Sequence, residues 1–174
     1  GDNDDFQPKG YFEPSRVQFT GVVNQATRVD LNATPFTAYL MGRVVDEQNQ
    51  PVKVMDVEAR SSGGRRSVVE TDLDGNFKLG VVAGTWTIGL DNSDALLQGL
   101  MAHQQSVGTV TAGVNKEGLV HTVKRSTRQL TISVEDNLDR PVPNVGVYLD
   151  STIGGTYYSH WVDLDDNGTR TVGV

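Results

Sequence analysis

One pattern of residues occurs twice in this chain. It runs Leu40-x-x-x-Val44-x-Asp46-x-x-x-x-Pro51-Val52-x-x-x-x-Val57 and returns without a gap as Leu130-x-x-x-Val134-x-Asp136-x-x-x-x-Pro141-Val142-x-x-x-x-Val147. The two copies are 90 residues apart, which is too long for one turn of a solenoid and close to the size of a small β-sandwich. The sequence therefore predicts tandem β-sandwich modules.

The match extends on both sides of this pattern, with small slips of the kind that surface loops tolerate. Asp72-Leu73-Asp74 corresponds to Asp163-Leu164-Asp165 at an offset of 91, and Gly10 corresponds to Gly99 at an offset of 89. The positions of these matches predict where each repeat begins and ends, and they divide the chain into three parts. These are 1–37, the tail of a preceding repeat or linker strands; 38–127, a first complete module; and 128–174, a second module without its last strand. We therefore expect a piece of a longer protein, or a missing strand that is supplied from elsewhere.

Alternating and β-branched residues predict an all-β fold of Greek-key sandwiches. The predicted strands are 17–23, 27–31, 38–46, 53–60, 66–71, 76–82, 85–90, 106–111, 119–123, 129–136, 144–150, 156–162 and 169–174. Between Asp91 and Met101 the pattern favours one short helix at most, capped by Asn92 or Ser93 and ended by Gly99.

Composition excludes several classes of function. The formal net charge is −7 and the chain has no basic run, since Arg65-Arg66 is only a pair, so a nucleic-acid surface is not expected. No apolar stretch is long enough to span a bilayer, so we expect no membrane insertion. The absence of cysteine removes disulfides, thiolate metal sites and thiol nucleophiles.

The order of motifs in the first copy resembles the carboxypeptidase regulatory-like domain. The motifs are Gly42-Arg43-Val44-Val45-Asp46, then Pro51-Val52, Val57-Glu58-Ala59, Thr71-Asp72-x-Asp74-Gly75-x-Phe77 and Gly84-x-Trp86-x-Ile88. The resemblance implies a transthyretin-like (prealbumin-like) sandwich of about seven strands, related in shape to repeats of Gram-positive surface proteins. It also implies a noncatalytic spacer, stalk or adhesive module, or an appendage to an enzyme or transporter.

Few residues of the sequence indicate a metal-binding or catalytic site. Asp163-x-Asp165-x-Asn167-Gly168 matches the first half of a calcium loop, but the twelfth position is Val174 where a bidentate Glu is needed. A structural turn is the competing interpretation, and we expect no cofactor beyond this calcium candidate. His103, His121 and His160 are far apart in the sequence without metal-ligand spacing, and we expect them at the surface or at strand edges.

Tyr157-Tyr158-Ser159-His160-Trp161 is the candidate ligand-binding segment. At an offset of 91, Tyr157 and Trp161 replace Arg66 and Glu70, and strand residues four apart share a face. This predicts an exposed aromatic pair that could stack on sugar rings or anchor a protein. The alternatives are an exchange of strand faces and a neighbouring module that covers the rings.

These observations favour a noncatalytic structural or adhesive module of a larger bacterial secreted or cell-surface protein. Its expected partners are neighbouring repeats of the same chain, and a glycan or a host or matrix protein. A carbohydrate-binding module and an accessory domain of an extracellular enzyme are the alternatives. Because a sandwich that lacks a strand exposes an edge, weak self-association through 156–174 is also expected.

Overall fold

The computed structural model describes residues 6–14, 17–91, 95–96 and 98–174. Gln7–Lys9 forms a single 3₁₀ turn ahead of the first strand. The strands are β1 Tyr11–Phe12, β2 Thr34–Pro35, β3 Ala38–Asp46, β4 Asp56–Ser61, β5 Arg66–Glu70, β6 Asn76–Val81, β7 Gly84–Leu90, β8 Leu100–Met101, β9 Gln105–Val110, β10 Lys116–Arg125, β11 Gln129–Ser133, β12 Gly146–Ile153, β13 Thr156–Asp163 and β14 Thr169–Gly173.

Strands β3 to β10 form a sandwich of two four-stranded sheets. The strand orders are β6-β3-β10-β8 and β5-β4-β7-β9, and every pairing is antiparallel except that of β3 with β10. Alternate side chains of each strand point between the sheets, so the apolar alternation of the sequence becomes the core. Fully buried members include Leu40, Val57, Leu79, Trp86 and Ile88.

Strands β11 to β14 form two smaller sheets, β11-β14 and β12-β13, which are both antiparallel. Their core contains Leu96, Val162, Leu164 and Val172. Among the described residues, β11 and β12 each have one partner strand, whereas β3 and β4 each have two. Within 128–174, β11, β12, β13 and β14 follow one another as β3, β4, β5 and β6 do in the first sandwich.

The turn that follows β3 recurs after β11 with the same hydrogen bonds. Asp46 Oδ1 accepts from the amides of Gln48 and Gln50, and Asp136 Oδ1 accepts from those of Leu138 and Arg140. The left-handed residue of each turn also recurs at an offset of 90, as Asn49 and Asp139. The repeated motif thus encodes one turn geometry twice, because a short acidic side chain can satisfy two turn amides.

A second turn recurs before β6 and β14, but at a different offset from the predicted 91. Asp72 Oδ1 accepts from the amides of Asp74 and Asn76, and Asp165 Oδ1 accepts from those of Asn167 and Thr169. Gly75 and Gly168 supply the positive φ of each turn, at 76° and 67°. The structural offset here is 93, since the β12-β13 hairpin is longer than β4-β5.

The prediction of strands at 17–23 and 27–31 was wrong for this structure. Residues 17–33 are outside strands and mostly exposed, while the neighbouring Tyr11–Phe12 and Thr34–Pro35 pair as β1-β2. A strand needs a hydrogen-bonding partner, and no described strand lies beside these residues. The β-strand propensity of these residues was not sufficient to form a strand without a neighbouring strand to pair with.

Part of the range that favoured a short helix is not helical. Ala95 and Leu96 are helical, whereas Leu100–Met101 belongs to β8. The candidate caps Asn92 and Ser93 lie outside the described residues. With this correction, the structure confirms the predicted all-β sandwich architecture.

Candidate functional site

The outward face of the β12-β13 hairpin carries the candidate site. Strand alternation places seven side chains there: Tyr148, Asp150, Thr152, Tyr157, Ser159, Trp161 and Asp163. Tyr157 is 60% exposed and Trp161 is 37% exposed. These are the two residues that the sequence placed together on an exposed face.

Trp161 is held in one orientation by three neighbours. Its indole lies against Gly146, where an added Cβ would be 1.8 Å from the ring atom Cζ2. Its Nε1 donates a hydrogen bond of 2.8 Å to Asp163 Oδ1. Tyr148 meets it edge-on, with ring centroids 4.7 Å apart and planes at 70°. An aromatic that is supported in this way presents a partly exposed surface without having to be ordered by a ligand.

A carboxylate lies between Tyr157 and Trp161 on the same face. Hydrogen bonds from the Ser159 side chain and then from the Tyr157 side chain lower the pKa of Asp150, and His160 adds a smaller electrostatic contribution. Asp150 is therefore ionised at neutral pH. The face combines aromatic surface with a fixed acceptor, two groups that recognise a polyhydroxylated ligand together.

The other two predicted ligand residues face the opposite way. Tyr158 and His160 are buried between the sheets, because they alternate with Tyr157, Ser159 and Trp161 along β13. Tyr148 is the residue that sequence reasoning missed. It is 70% exposed on β12, directly opposite Trp161 in the strand register. Cross-strand position was the signal that could have identified it.

The equivalent face of the first sandwich has different chemistry. In the observed register, Glu58 and Val68 stand where the hairpin β12-β13 has Tyr148 and Trp161. Glu58 is buried by two arginines: Arg60 pairs with it at 2.8 Å, and Arg66 forms a short charged hydrogen bond to it. The aromatic face is thus a feature of one hairpin, because the matching position of the other is an ion cluster.

The expectation of surface histidines was wrong. His121 and His160 are buried, and His103 is half-buried. The rings of His103 and His121 stack with centroids 4.8 Å apart, and Tyr158 meets His103 edge-on at 5.9 Å. Burial, and to a smaller extent the charge of His103, lowers the pKa of His121 to about 4. His103, His121 and Tyr158 thus form an uncharged cluster of rings in the interior.

The three calcium candidates do not converge in this structure. Asp163 accepts from Trp161, whereas Asp165 accepts from the amides of its own turn and lies beside the backbone of Asn167. Those amide hydrogen bonds lower the pKa of Asp165, as expected for a turn carboxylate. Within the described ranges, no group of three or more His, Asp or Glu side chains is arranged to hold a metal ion.

A cavity of about 530 Å³ lies between the strands of 128–174 and the neighbouring residues Met101 and Thr127. It is lined by apolar side chains of Leu130, Leu149, Ile153 and Val174, with His160 and Arg128 among its polar groups. The corresponding space in the first sandwich is filled core. Leu40 is 0% exposed there, whereas its equivalent Leu130 is 40% exposed.

Comparison with known proteins yields likenesses in structure only. No family model matches the chain, and no curated protein matches it in sequence. The Bacillus anthracis TIE protein aligns at 16% identity and a TM-score of 0.43, over 82% of this chain and 27% of that one. This chain therefore spans about a quarter of that protein.

Two further solved structures show similar values. A streptococcal ancillary pilin aligns at 11% identity and a TM-score of 0.39, over 94% of this chain and 61% of the pilin. A Bacteroides uniformis protein, provisionally described as carbohydrate-binding, aligns at 13% identity and a TM-score of 0.40, over 79% of each chain. At these sequence identities and TM-scores, the likeness carries no argument about activity.

Proposed function

We propose that this chain is a noncatalytic structural or adhesive segment of a larger bacterial secreted or cell-surface protein, built from tandem sandwiches of the carboxypeptidase regulatory-like type. The observation that supports it is the recurrence of one hydrogen-bonded framework along the chain. The turns of Asp46 and Asp136 are alike, and so are those of Asp72 and Asp165. A repeated framework with different exposed faces is typical of modular arrays.

The rest of the chain is compatible with this role. The described residues contain no helix that is long and apolar enough to cross a membrane. The net charge of −7 favours solubility and opposes nonspecific association. Stiffness between modules would come from the direct passage of β10, which ends at Arg125, into β11, which begins at Gln129.

Surface labelling of intact cells tests the proposal. Antibodies raised against this 174-residue chain should label intact cells of the producing organism, or detect the protein in the medium. Protease treatment of intact cells should remove the cell-bound signal and leave a cytoplasmic marker unchanged. A signal found only after lysis would contradict the proposed location.

Carbohydrate binding is a second candidate, favoured by the aromatic face of β12-β13. Trp161 packs against Gly146 and is 37% exposed, and Asp150 and Asp163 provide acceptors on the same face. Sugar rings stack on such surfaces while carboxylates accept from their hydroxyl groups. The same geometry would also suit a protein loop, so the experiment must separate the two ligands.

A glycan array followed by titration of any hit makes this separation. Trp161→Ala and Tyr148→Ala should each weaken binding about fivefold or more, given that stacked rings contribute on the order of 1 kcal/mol or above. Tyr11→Ala is the matched control, because Tyr11 is an exposed tyrosine on another strand. Binding that survives both substitutions, or an array without hits, would remove the candidate.

A further inference from the structure

The outward face of the β12-β13 hairpin carries two carboxylates that no lysine or arginine balances. Its seven outward side chains include Asp150 and Asp163 and contain no basic residue. Asp150 accepts from the side chains of Ser159 and Tyr157, and Asp163 accepts from the indole of Trp161. Within the described part of the chain, neither carboxylate pairs with a lysine or an arginine. The face therefore remains acidic.

The charge at the centre of this face is the reverse of that in the first sandwich. In the observed registers, Asp150 opposite Ser159 occupies the position that Arg60 opposite Arg66 occupies in β4-β5. The two arginines pair with Glu58 there. Because both hairpins fold alike with opposite charges, the fold does not require a carboxylate at position 150.

Aromatic rings flank the carboxylate of Asp150 on both sides. Tyr157 and Trp161 are four residues apart on β13, about 13 Å along an extended strand. Asp150 lies opposite Ser159, which is midway between them. Tyr148 packs edge-on against Trp161, with ring centroids 4.7 Å apart. Exposed aromatic faces stack on sugar rings and also attract cations through the ring quadrupole.

The Tyr157 end of the face borders a cleft against the first sandwich. The cleft has a volume of about 490 Å³ and is lined by Gln104 on one side and by Thr156, Tyr157 and Ser159 on the other. The carboxamide of Gln104 lies over Gly89, where an added Cβ would be 2.5 Å from its Nε2. Carboxamide and hydroxyl groups donate and accept hydrogen bonds, as a ligand rich in hydroxyl groups requires.

These features distinguish between classes of glycan. Sugars with carboxylate or sulfate groups carry the same charge as Asp150 and Asp163, which repel them. A neutral sugar can stack on the rings but gives the two carboxylates no charged partner. An amino sugar combines the apolar ring faces and hydroxyl groups of a sugar with an ammonium group. It therefore matches the aromatic, polar and acidic parts of this surface together.

We propose that the outward face of β12-β13 binds a linear oligosaccharide of amino sugars, with an ammonium group at Asp150, a sugar ring on Trp161 and the chain end in the cleft beside Gln104. The proposal rests on the carbohydrate-binding candidate and names the ligand class of that site. An ionised carboxylate has about four acceptor sites. Ser159 and Tyr157 supply two donors to Asp150, so it can accept from an ammonium group as well.

Calorimetric titration with a matched pair of ligands tests the proposal. The glucosamine hexamer and the N-acetylglucosamine hexamer have the same length and linkage, and differ in carrying ammonium or acetamide groups. The wild-type chain should bind the glucosamine hexamer about tenfold or more tightly than its acetylated counterpart, as expected for a charge-assisted hydrogen bond. Raising the salt concentration should reduce this preference, because salt screens exposed charges.

Single substitutions assign the parts of the site. Asp150→Asn should remove the preference for the glucosamine hexamer and leave binding of the acetylated hexamer in place. Asp166→Asn is the matched control, because it removes the same charge from an exposed aspartate in the turn after β13. Trp161→Ala should weaken both hexamers alike. Gln104→Ala should weaken both about threefold or more, as expected for one lost hydrogen bond.

The outcomes separate this inference from the carbohydrate-binding candidate. Equal affinities for the two hexamers, or a preference that Asp150→Asn leaves unchanged, would overturn the inference and leave carbohydrate binding standing. A wild-type chain that binds neither hexamer would overturn the inference as well. The glycan array then decides separately whether the face binds any other carbohydrate.

Discussion

At the scale of single residues, two histidines that are distant in sequence meet in the interior. His103 stacks on His121, and the groups that face the pair are Gln105, Lys124 and Tyr158. Burial lowers the pKa of both rings, to about 4 for His121. Protonation has to overcome burial first, and then the charge of His103 at His121 and the charge of Lys124 at His103, so both rings are neutral at pH 7.

The histidine pair makes stability depend on pH below neutrality. Between the unfolded pKa of 6.5 and the folded pKa of about 4, the unfolded chain binds more protons, so the free energy of unfolding falls as pH falls. For His121 the loss approaches about 3 kcal/mol at the acid end. His121→Leu should flatten the pH dependence of the free energy of urea unfolding across this window. If His121→Leu left the pH dependence of the free energy of unfolding unchanged, His121 would not be its source.

Gly146 controls the orientation of Trp161. Gly146→Ala would place a methyl group against the indole, so the ring should move and lose its hydrogen bond to Asp163. Since the strand is exposed, we expect a loss of less than about 1 kcal/mol in stability. Iodide quenching of fluorescence should increase, because the other tryptophan, Trp86, is fully buried. Ser151→Ala should leave quenching unchanged; equal quenching in both variants would show that the glycine does not position the ring.

At the scale of elements, the acidic turns are separable units. Asp165→Ala should lower the melting temperature, because the amides of Asn167 and Thr169 lose their acceptor. Asp72→Ala is the matched substitution in the first sandwich and should act in the same direction. Both contributions should be lost as pH falls below the unfolded value of 3.8, since hydrogen bonding lowers each folded pKa.

The same turn gives a test of calcium binding. Because Asp165 is engaged by its own turn and Asp163 by Trp161, millimolar calcium should not raise the melting temperature. Differential scanning fluorimetry with calcium and with chelator measures this directly. A calcium-dependent rise that Asp163→Ala abolishes would show that the two acids do form a site.

The elements also show which parts of the fold the sequence could predict. Strands such as Ala38–Asp46 and Arg66–Glu70 follow from alternation, because their partners lie in the same chain. Segment 17–31 has the same local pattern but no neighbouring strand. Local propensity cannot predict whether a segment will find a strand to pair with. The face of Trp161 was predicted although the offset was 91 instead of 93, because a shift of two residues preserves the side of a strand.

The site was less predictable than the strands. Tyr157 and Trp161 followed from periodicity, but Tyr148 reaches them only through the β12-β13 register. Tyr158 and His160 were included as neighbours in sequence, and alternation turns them inward. The burial of His121 depends on a parallel pairing between strands about 80 residues apart, which no local pattern contains.

At the scale of the whole molecule, two hydrogen-bonded turns recur along the chain. The turn after β3 recurs after β11, and the turn before β6 recurs before β14. Several exposed apolar side chains lie outside the first sandwich, including Leu31, Leu130 and Ile153.

Amide hydrogen exchange is the measurement that tests the repeated framework most directly. The amides of Val44, Asp46 and Val52 donate within the first framework, and those of Val134, Asp136 and Val142 donate within the second. We predict that both sets exchange at least about tenfold more slowly than an unfolded chain, with the second set less protected because its core is open. Exchange of Val134, Asp136 and Val142 at the unfolded rate would contradict the account.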